Sequence, residues 1–438
     1  MIDLQDYDQD KAILLGLVFT REYGSEEQAE SSLDELEELC ESCGIEVLGK
    51  AIQRREAPDP ATCAGKGKIL ELAELARGMG ANCLILNTQL SGSQMSEISD
   101  LSGLKVLDRT LVILDIFARR ATSSEGVLQV EIAQLKDRAS RLAGSGKALS
   151  RLGGGIGTRG PGESKLESDR RHIQSRISRL SQKLKEVSAR REMARKKRNN
   201  LDALVFAVCG YTNAGKSSLM NLLCESDLYT MDQVFATLDP NVRRLPWQGP
   251  DLLLVDTVGF IRELPHELVE AFQSTLDEIR YADFVIQVTD LSDPDFYAQA
   301  ELVDQMLIRL EAQNKPRLHF MNKSDRVPED IKNFRFYRER EDADIIEIVG
   351  SVRSGEGIEL LKESLIQIAS REVFDCQVLI PYKHGEIVHE IRQRAFVENI
   401  DYQTEGIFVS CRMPKKYRRI IEELPVQLFR KGEIHEDS

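Results

Sequence analysis

The chain has 438 residues, with 58 Lys and Arg against 72 Asp and Glu, a formal charge of −14, and 42% hydrophobic residues. At about 100 to 200 residues per domain this is enough chain for roughly three packed domains, which excludes a small scaffold held by disulfides or a metal. It also excludes a uniformly basic coat for nucleic acid, so any polyanionic partner has to be met by a local patch. No apolar run approaches the about 18 residues of a membrane span, and Met1 to Asp10 carries four Asp and no basic residue, so a cytoplasmic chain without a membrane span is expected. Among eight Cys only Cys40 and Cys43 form a CxxC pair, with no second pair at zinc-site spacing. Cysteine spacing therefore points to neither a metal centre nor a redox motif.

From Lys11 onward, strand-like runs alternate with helical patterns. Ala12 to Phe19 reads as a strand, Leu33, Leu36, Leu39 and Cys40 mark one face of a helix, Ile45 to Ile52 reads as a strand, Ile69 to Arg77 as a helix and Cys83 to Leu86 as a strand. That alternation predicts a parallel sheet. Gly65-Lys66-Gly67-Lys68 opens the second helix. It offers N–H groups and lysines to a phosphate, although an ordinary helix start with exposed lysines is the simpler reading.

Near Gly126 the texture changes. Leu128, Ile132, Leu135, Ala139 and Leu142 step by 4, 3, 4 and 3, and the seam resumes at Leu166, Ile173, Ile177, Leu180, Leu184 and Val187. Two helices sharing one apolar stripe and one connection predict an antiparallel hairpin. At 1.5 Å per residue, helices over 126–142 and 163–198 would be about 25 Å and about 54 Å long, so the second has to overhang or break. Residues 163–198 hold 13 Lys and Arg against 5 Asp and Glu, in a chain that is acidic overall. The joining segment, Ala143 to Pro161, places Gly144, Gly146, Gly153, Gly154, Gly155, Gly157 and Gly160 around Lys147, Arg151 and Arg159. Backbone of that kind can bring N–H groups close to phosphates; a flexible linker is the plainer alternative, but a linker has no need of arginines.

The most informative stretch follows. Leu204 to Cys209 is a buried-strand run, and after it come Gly210-Tyr211-Thr212-Asn213-Ala214-Gly215-Lys216-Ser217 and a helical run from Ser218. This is GxxxxGK[ST] between a strand and a helix, the context in which it cradles phosphates. Backbone N–H groups and the helix N-terminus receive the phosphate charge, Lys216 bridges the β- and γ-phosphates, and the Ser217 hydroxyl is expected to ligate Mg2+. A second apolar run, Leu318 to Met321, ends in Asn322-Lys323-Ser324-Asp325, the NKxD element of guanine-nucleotide proteins. A carboxylate at Asp325 accepts from the ring N–H and the exocyclic amine of guanine together, a pair adenine does not present, so GTP and GDP are the expected ligands. Between these lie Asp251 to Val255 and the turn Asp256-Thr257-Val258-Gly259, where Asp256 is expected to hold Mg2+ through water and the Gly259 N–H to meet the terminal phosphate. In Phe235-Ala236-Thr237, the threonine stands 21 residues after Lys216 and 19 before Asp256, the place of a mobile residue that closes on the metal.

The implied architecture is α/β throughout: an N-terminal parallel α/β domain (1–125), a basic helical hairpin with a glycine-rich tip (126–200), a P-loop GTPase domain (201–370) and a small α+β C-terminal domain (371–438). In the last, strands are expected near Cys376 to Ile380, Phe396 to Val397 and Gly406 to Cys411, with helices near Gly385 to Arg394 and Lys415 to Glu423.

In this order the residues resemble the translation-factor-related GTPases, and more narrowly the HflX family of the Obg-HflX group. The narrower resemblance rests on GYTNAGKSSLMN from 210, FATLDP from 235, DTVGFIRELPHELVEAF from 256, LDRTLVILDIFARRA from 107 and RLGGGIGTRGPGESKLE from 151. It implies a Mg2+-dependent GTPase, catalytic through Lys216, Thr237 and Gly259, that binds the rRNA and proteins of the large ribosomal subunit as a monomer. It further implies that the factor splits stalled or stress-inactivated ribosomes, with the glycine loop directed toward the peptidyl-transferase region. A GTP-gated binding module for another RNA or protein assembly, with incidental hydrolysis, is the alternative.

Two positions depart from the common GTPase pattern. Phe260 stands where many relatives place a water-orienting Gln, so hydrolysis is expected to be slow until a partner orders the water. Ser351-Val352 replaces the usual Ser-Ala of the guanine loop. Asn213 is the position at which some relatives ligate K+, so a potassium requirement is open.

Overall fold

The fold is that of a computed structural model in which residues 10–19, 26–152, 161–199, 203–224, 242–245, 252–262, 273–333, 345–371, 373–415, 421–422 and 424–429 are described. The chain divides into two compact units, one of Met1–Ser188 with Met231–Asp239 and Phe260–Ser274, the other of Ala189–Thr230, Pro240–Gly259 and Thr275–Ser438.

In the first unit, β1 (Lys11–Phe19) is buried on both faces, as a nearly unbroken apolar run requires. Against it α1 (Glu26–Ser42) lays Leu33, Leu36, Leu39 and Cys40. Gly16 makes the approach possible, since a Cβ there would stand 3.0 Å from Leu33 Cδ1. The edge strand β2 (Glu46–Arg55) pairs parallel with β1. Next come α2 (Lys66–Met79), stopped by Gly80 at φ 75, and the fully buried β3 (Cys83–Leu86). Three elements that apolar periodicity does not separate complete the domain: α3 (Gly92–Ser102), opened by a Ser91–Gln94 capping box, β4 (Lys105–Asp108) and α4 (Arg109–Arg120). The sheet order is β2-β1-β3-β4, with every neighbour parallel, as the alternation predicts.

The hairpin consists of α5 (Ser124–Leu152) and α6 (Pro161–Asn199). Arg176 meets Glu131 and Ser188 Oγ donates to Glu125 Oε1 at 3.0 Å, so the helices run antiparallel. The long joining loop expected over Ala143 to Pro161 is corrected: α5 continues to Leu152, which limits the connection to residues 153–160, outside the described residues. Two glycines cost a helix about 1 kcal/mol each, and Lys147, Ala148, Leu149, Arg151 and Leu152 are strong helix formers that outweigh Gly144 and Gly146. The mismatch in length shrinks with it, to 29 residues against 39, and α6 runs unbroken.

The root of α5 is held by charge. Arg141 spans Asp108 at 3.0 Å and Asp137 at 2.6 Å and donates to the Leu90 carbonyl at 3.1 Å. Asp108, fully buried, also caps α4 by accepting from Leu111 N. Gly92 lets α3 come this close: a Cβ there would fall 2.2 Å from the Arg141 carbonyl oxygen.

The second unit holds two sheets. Its larger part runs β5 (Leu204–Gly210), α7 (Lys216–Leu223), β6 (Val242–Leu245), β7 (Leu252–Asp256), α8 (Gln273–Tyr281), β8 (Phe284–Asp290), α9 (Phe296–Arg309), β9 (Arg317–Asn322), the short α10 (Glu329–Lys332), β10 (Ile345–Val349) and α11 (Ile358–Arg371). The strand order is β10-β9-β8-β5-β7-β6, parallel except for the edge strand β6. Phe206 and Phe284 stack in its core with centroids 4.4 Å apart. In an open, mostly parallel sheet of this kind, ligands are taken at the loops outside the C-terminal ends of the strands.

The C-terminal part is an antiparallel sheet of β11 (Val373–Ile380), β12 (Phe396–Gln403), β13 (Gly406–Pro414) and β14 (Gln427–Phe429), ordered β12-β13-β11-β14, with α12 (Glu386–Arg394) packed on it. β14 has no signal in the periodicity because it is three residues long. The helix expected over Lys415 to Glu423 lies largely outside the described residues. Among the described residues no helix is long and apolar enough to cross a membrane.

Candidate nucleotide site

β5 delivers the phosphate loop. At Gly210 φ is 148 and a Cβ would lie 2.1 Å from the Val288 carbonyl oxygen, so the strand leaves β8 at a point where only glycine fits. Asn213 takes a positive φ of 59 and is exposed. Gly215, at φ 95, is the N-cap of α7; with no side-chain acceptor of its own, it leaves the first N–H groups of Lys216, Ser217 and Ser218 to an outside anion.

Lys216 is buried and its Nζ donates to the Tyr211 carbonyl at 2.7 Å. Burial pushes the ammonium down to about 8, and the nearby Asp256 carboxylate opposes that shift. The register of β5 with β7, Val208 opposite Asp256, brings this carboxylate beside the loop. There Ser217 Oγ donates to Asp256 Oδ2 at 3.3 Å. Thr257 is turned into the sheet, its hydroxyl donating to the Val208 carbonyl at 2.7 Å, and Val258 is buried beside it. Gly259 closes on the loop so tightly that a Cβ would stand 2.8 Å from Thr212 Cγ2 and 3.0 Å from Lys216 Nζ.

β9 delivers the base-side motif. Asn322 is buried; its Nδ2 donates to the Ala214 carbonyl at 2.8 Å and its Oδ1 accepts from Val352 N at 3.0 Å. Lys323, at φ 62, reaches Asp290 at 2.6 Å. Ser324 Oγ donates to Glu356 Oε2 at 2.7 Å. Asp325 is exposed and accepts from Ser351 Oγ at 2.5 Å, a bond that holds its carboxyl below the usual carboxylate range. An ionised Asp325 is therefore maintained as a pure acceptor.

Gly210 to Ser218, Asp256 to Gly259 and Asn322 thus converge on one loop, while Asp325 and Ser351 pair beside it with Val352 packed on the core. Phe235, Ala236 and Thr237 lie outside the described residues. Sequence reasoning did not single out Asp290 and Glu356, the partners of Lys323 and Ser324. Asp290 had a usable signal, an Asp closing a buried strand just as Asp256 does.

Phe260, Ile261 and Arg262 follow Gly259 in the chain and belong to the first unit. There Arg109 is buried, pairs with Glu35 at 2.6 Å and donates to the Arg262 carbonyl at 3.2 Å. The Gly65 to Lys68 segment is committed internally: Gly65 N donates to Gln53 Oε1 at 3.0 Å, Lys66 pairs with Glu97 at 2.9 Å and Lys68 with Glu71 at 2.7 Å. Those bonds favour the helix-start reading over a phosphate site.

Residues 30–118 match a family described as GTP-binding GTPase N-terminal, residues 120–198 one described as GTP-binding GTPase Middle Region, and residues 205–323 one described as 50S ribosome-binding GTPase. A GTPase HflX of Caldanaerobacter subterraneus subsp. tengcongensis is 41% identical over 422 residues, covering 94% of each chain. GTPase HflX of Escherichia coli is 38% identical over 419 residues, covering 95% of this chain and 96% of that one. Among solved structures, a GTP-binding protein from the archaeon Sulfolobus solfataricus in complex with GDP is 22% identical, covering 83% of this chain and 99% of that one with a TM-score of 0.45.

Proposed function

This chain belongs to the HflX family of GTP-binding, GTP-hydrolysing proteins, and on that footing we propose that it is a monomeric, GTP-gated factor of the large ribosomal subunit that dissociates stalled or inactive ribosomes. The observation that carries the ribosomal part is the face of α6. Ile173, Ile177, Leu180, Leu184 and Val187 form its covered stripe, while Arg170, Arg171, Arg176, Arg179, Lys183 and Lys185 are exposed. Arg171 and Arg176 pair with Glu167 and Glu131; Arg170, Arg179, Lys183 and Lys185 have no ion pair among the described residues. A row of unneutralised cations on a chain of charge −14 suits the phosphate backbone of rRNA. The 50S ribosome-binding description of the matched nucleotide domain points the same way.

In this reading Lys216 and the amides of Gly210 to Ser218 take the triphosphate, Gly259 N–H and Thr237 respond to the γ-phosphate, and Asp325 takes guanine with Asn322, Lys323, Ser351 and Val352 around it. The hydroxyl of Ser217 and the carboxylate of Asp256, 3.3 Å apart, are the hard oxygen donors that Mg2+ prefers; they would hold the ion, which would neutralise phosphate charge there. Asn213, exposed at the loop, is the residue that would hold K+. Phe260 offers no hydrogen bond to an attacking water, so a docked partner supplies that order, worth up to about 10⁵-fold in related systems.

The test is GTP turnover with and without purified large subunits, run beside co-sedimentation in a non-hydrolysable GTP analogue and gradient analysis of intact ribosomes. Stimulated turnover, co-pelleting and separation into subunits are expected. Turnover unchanged by subunits, with no co-pelleting, would shift the reading to a GTP-gated module for another RNA or protein assembly.

A further inference from the structure

Cys376 on β11 and Cys411 on β13 are direct partners in the antiparallel ladder. Directly opposed residues project from the same face of such a pair, with Cα atoms about 4.5 Å or about 5.5 Å apart according to their place in the ladder. Both separations fall within the about 4.4 to 6.8 Å that a disulfide spans. Both thiols are free and lie in the core of the C-terminal sheet with Val378, Val409 and Met413.

The two sulfurs are within hydrogen-bonding reach. Donation from Cys411 holds the Cys376 thiol below the ordinary range, while the same bond and burial push Cys411 up. The ladder pairing sets one sulfur to attack and the other to resolve, with the lowered Cys376 thiol as the first nucleophile. The Cys40–Cys43 pair differs. Burial raises both thiols, Cys43 to about 12, and Cys43 Sγ donates to the Val112 carbonyl at 3.6 Å. Both side chains of the Cys376–Cys411 pair are buried, at 2% and 1% exposure, so an oxidant reaches them by local opening of the sheet edge, where β14 pairs only with Gln377 to Leu379.

We propose that Cys376 and Cys411 are a reversible dithiol–disulfide site, oxidised by hydrogen peroxide and reset by dithiols. The Cys376 thiolate attacks one peroxide oxygen and the O–O bond breaks. The departing hydroxide takes up the proton that Cys376 released and leaves as water, giving Cys376 sulfenic acid. Cys411 sulfur then attacks Cys376 sulfur, the S–O bond breaks as the S–S bond forms, and the Cys411 proton leaves with the hydroxide as a second water. The two thiols lose two electrons and the peroxide gains them. The product staples β11 to β13, and β11 starts two residues after α11 of the nucleotide domain ends.

The full chain is treated in its native state with excess hydrogen peroxide, then unfolded and alkylated with N-ethylmaleimide for intact-mass and peptide analysis. From eight free thiols, six labelled residues are expected, together with a joined Cys376–Cys411 peptide pair, and dithiothreitol restores eight. In Cys411→Ala the reaction is expected to stop at a Cys376 sulfenic acid that dimedone traps. Eight labels after peroxide, or two lost to a different pair such as Cys40–Cys43, overturns the proposal. The wild-type result decides it whether or not the variant folds.

Discussion

Asn322 donates its side-chain amide to the Ala214 carbonyl at 2.8 Å, which makes one residue of the base-side motif a strut for the phosphate loop. Its oxygen accepts from Val352 N at 3.0 Å, so a single amide ties three segments together. Asn322→Ala leaves the Ala214 carbonyl and the Val352 amide without this partner, at about 1 to 3 kcal/mol for a buried polar group. Guanine-nucleotide affinity is expected to fall about 10- to 100-fold, measured by titration with a fluorescent GTP analogue. An unchanged Kd would remove the strut role.

The carboxylate of Asp325, held ionised by Ser351, accepts two hydrogen bonds from guanine in the proposed complex. Asp325→Asn puts a donor where the exocyclic amine also donates, so GTP affinity is expected to fall at least about 100-fold, within the range seen when a built polar contact is lost. Xanthosine triphosphate, with a carbonyl in place of that amine, is expected to recover most of the loss. Equal weakening for both nucleotides would place the base elsewhere.

Lys216 gives a pH signature. Its ammonium is pushed down to about 8 from the ordinary 10.5 by burial, and the charge of a triphosphate raises it again on binding. At pH 7 the empty site already carries the proton, and binding takes up none. Near pH 9 the empty site is largely neutral, so binding takes up close to one proton and affinity falls up to about tenfold per pH unit above 8. The same depressed value penalises the empty fold fully below about 8, and the penalty is relieved as pH rises toward 10.5. Calorimetry in buffers of different ionisation enthalpy reads the uptake; none at pH 9 in the native chain, or the same uptake in Lys216→Met, would contradict the assignment.

Arg141 holds the root of α5 by spanning Asp108 and Asp137. Arg141→Met leaves a fully buried Asp108 carboxylate without its counter-charge, which costs about 3 to 5 kcal/mol in comparable buried pairs. Urea unfolding is expected to show that loss. A change under about 1 kcal/mol would mean that the backbone amides of Leu90 and Leu111, which donate to Asp108 at 2.9 and 3.0 Å, suffice for it.

Asn213 decides the cation question. If it holds K+ at the phosphates, GTP hydrolysis is expected to be at least several-fold faster in potassium than in sodium buffer of equal ionic strength, and Asn213→Ala is expected to abolish the difference. Equal rates in the two buffers for the native chain would leave Asn213 as a loop residue.

Much of the nucleotide site can be read before any coordinates exist because its motifs are short and contiguous. Gly210 and Gly215 are required by backbone angles set within the loop itself, and Asp256 and Asn322 each close a buried strand, so their placement follows from local strand and turn chemistry. The helical seam from Leu128 to Val187 is legible for the same reason, since period and stripe are local. Where local signals compete, reading fails: Gly144 and Gly146 suggest a loop, yet the helix formers around them carry α5 through to Leu152.

The order of residues alone thus settles the α/β class, the phosphate loop and the guanine motif, because each depends on neighbours in the chain. Only the folded chain settles which polar groups meet: Asn322 with Ala214 across 108 positions, Arg141 with Asp108, Arg109 with Glu35, and Cys376 with Cys411. Such pairs leave no periodic trace in the sequence. They arise because a buried donor, acceptor or charge needs a partner, and strand order and helix packing decide which distant residue is near enough to be one.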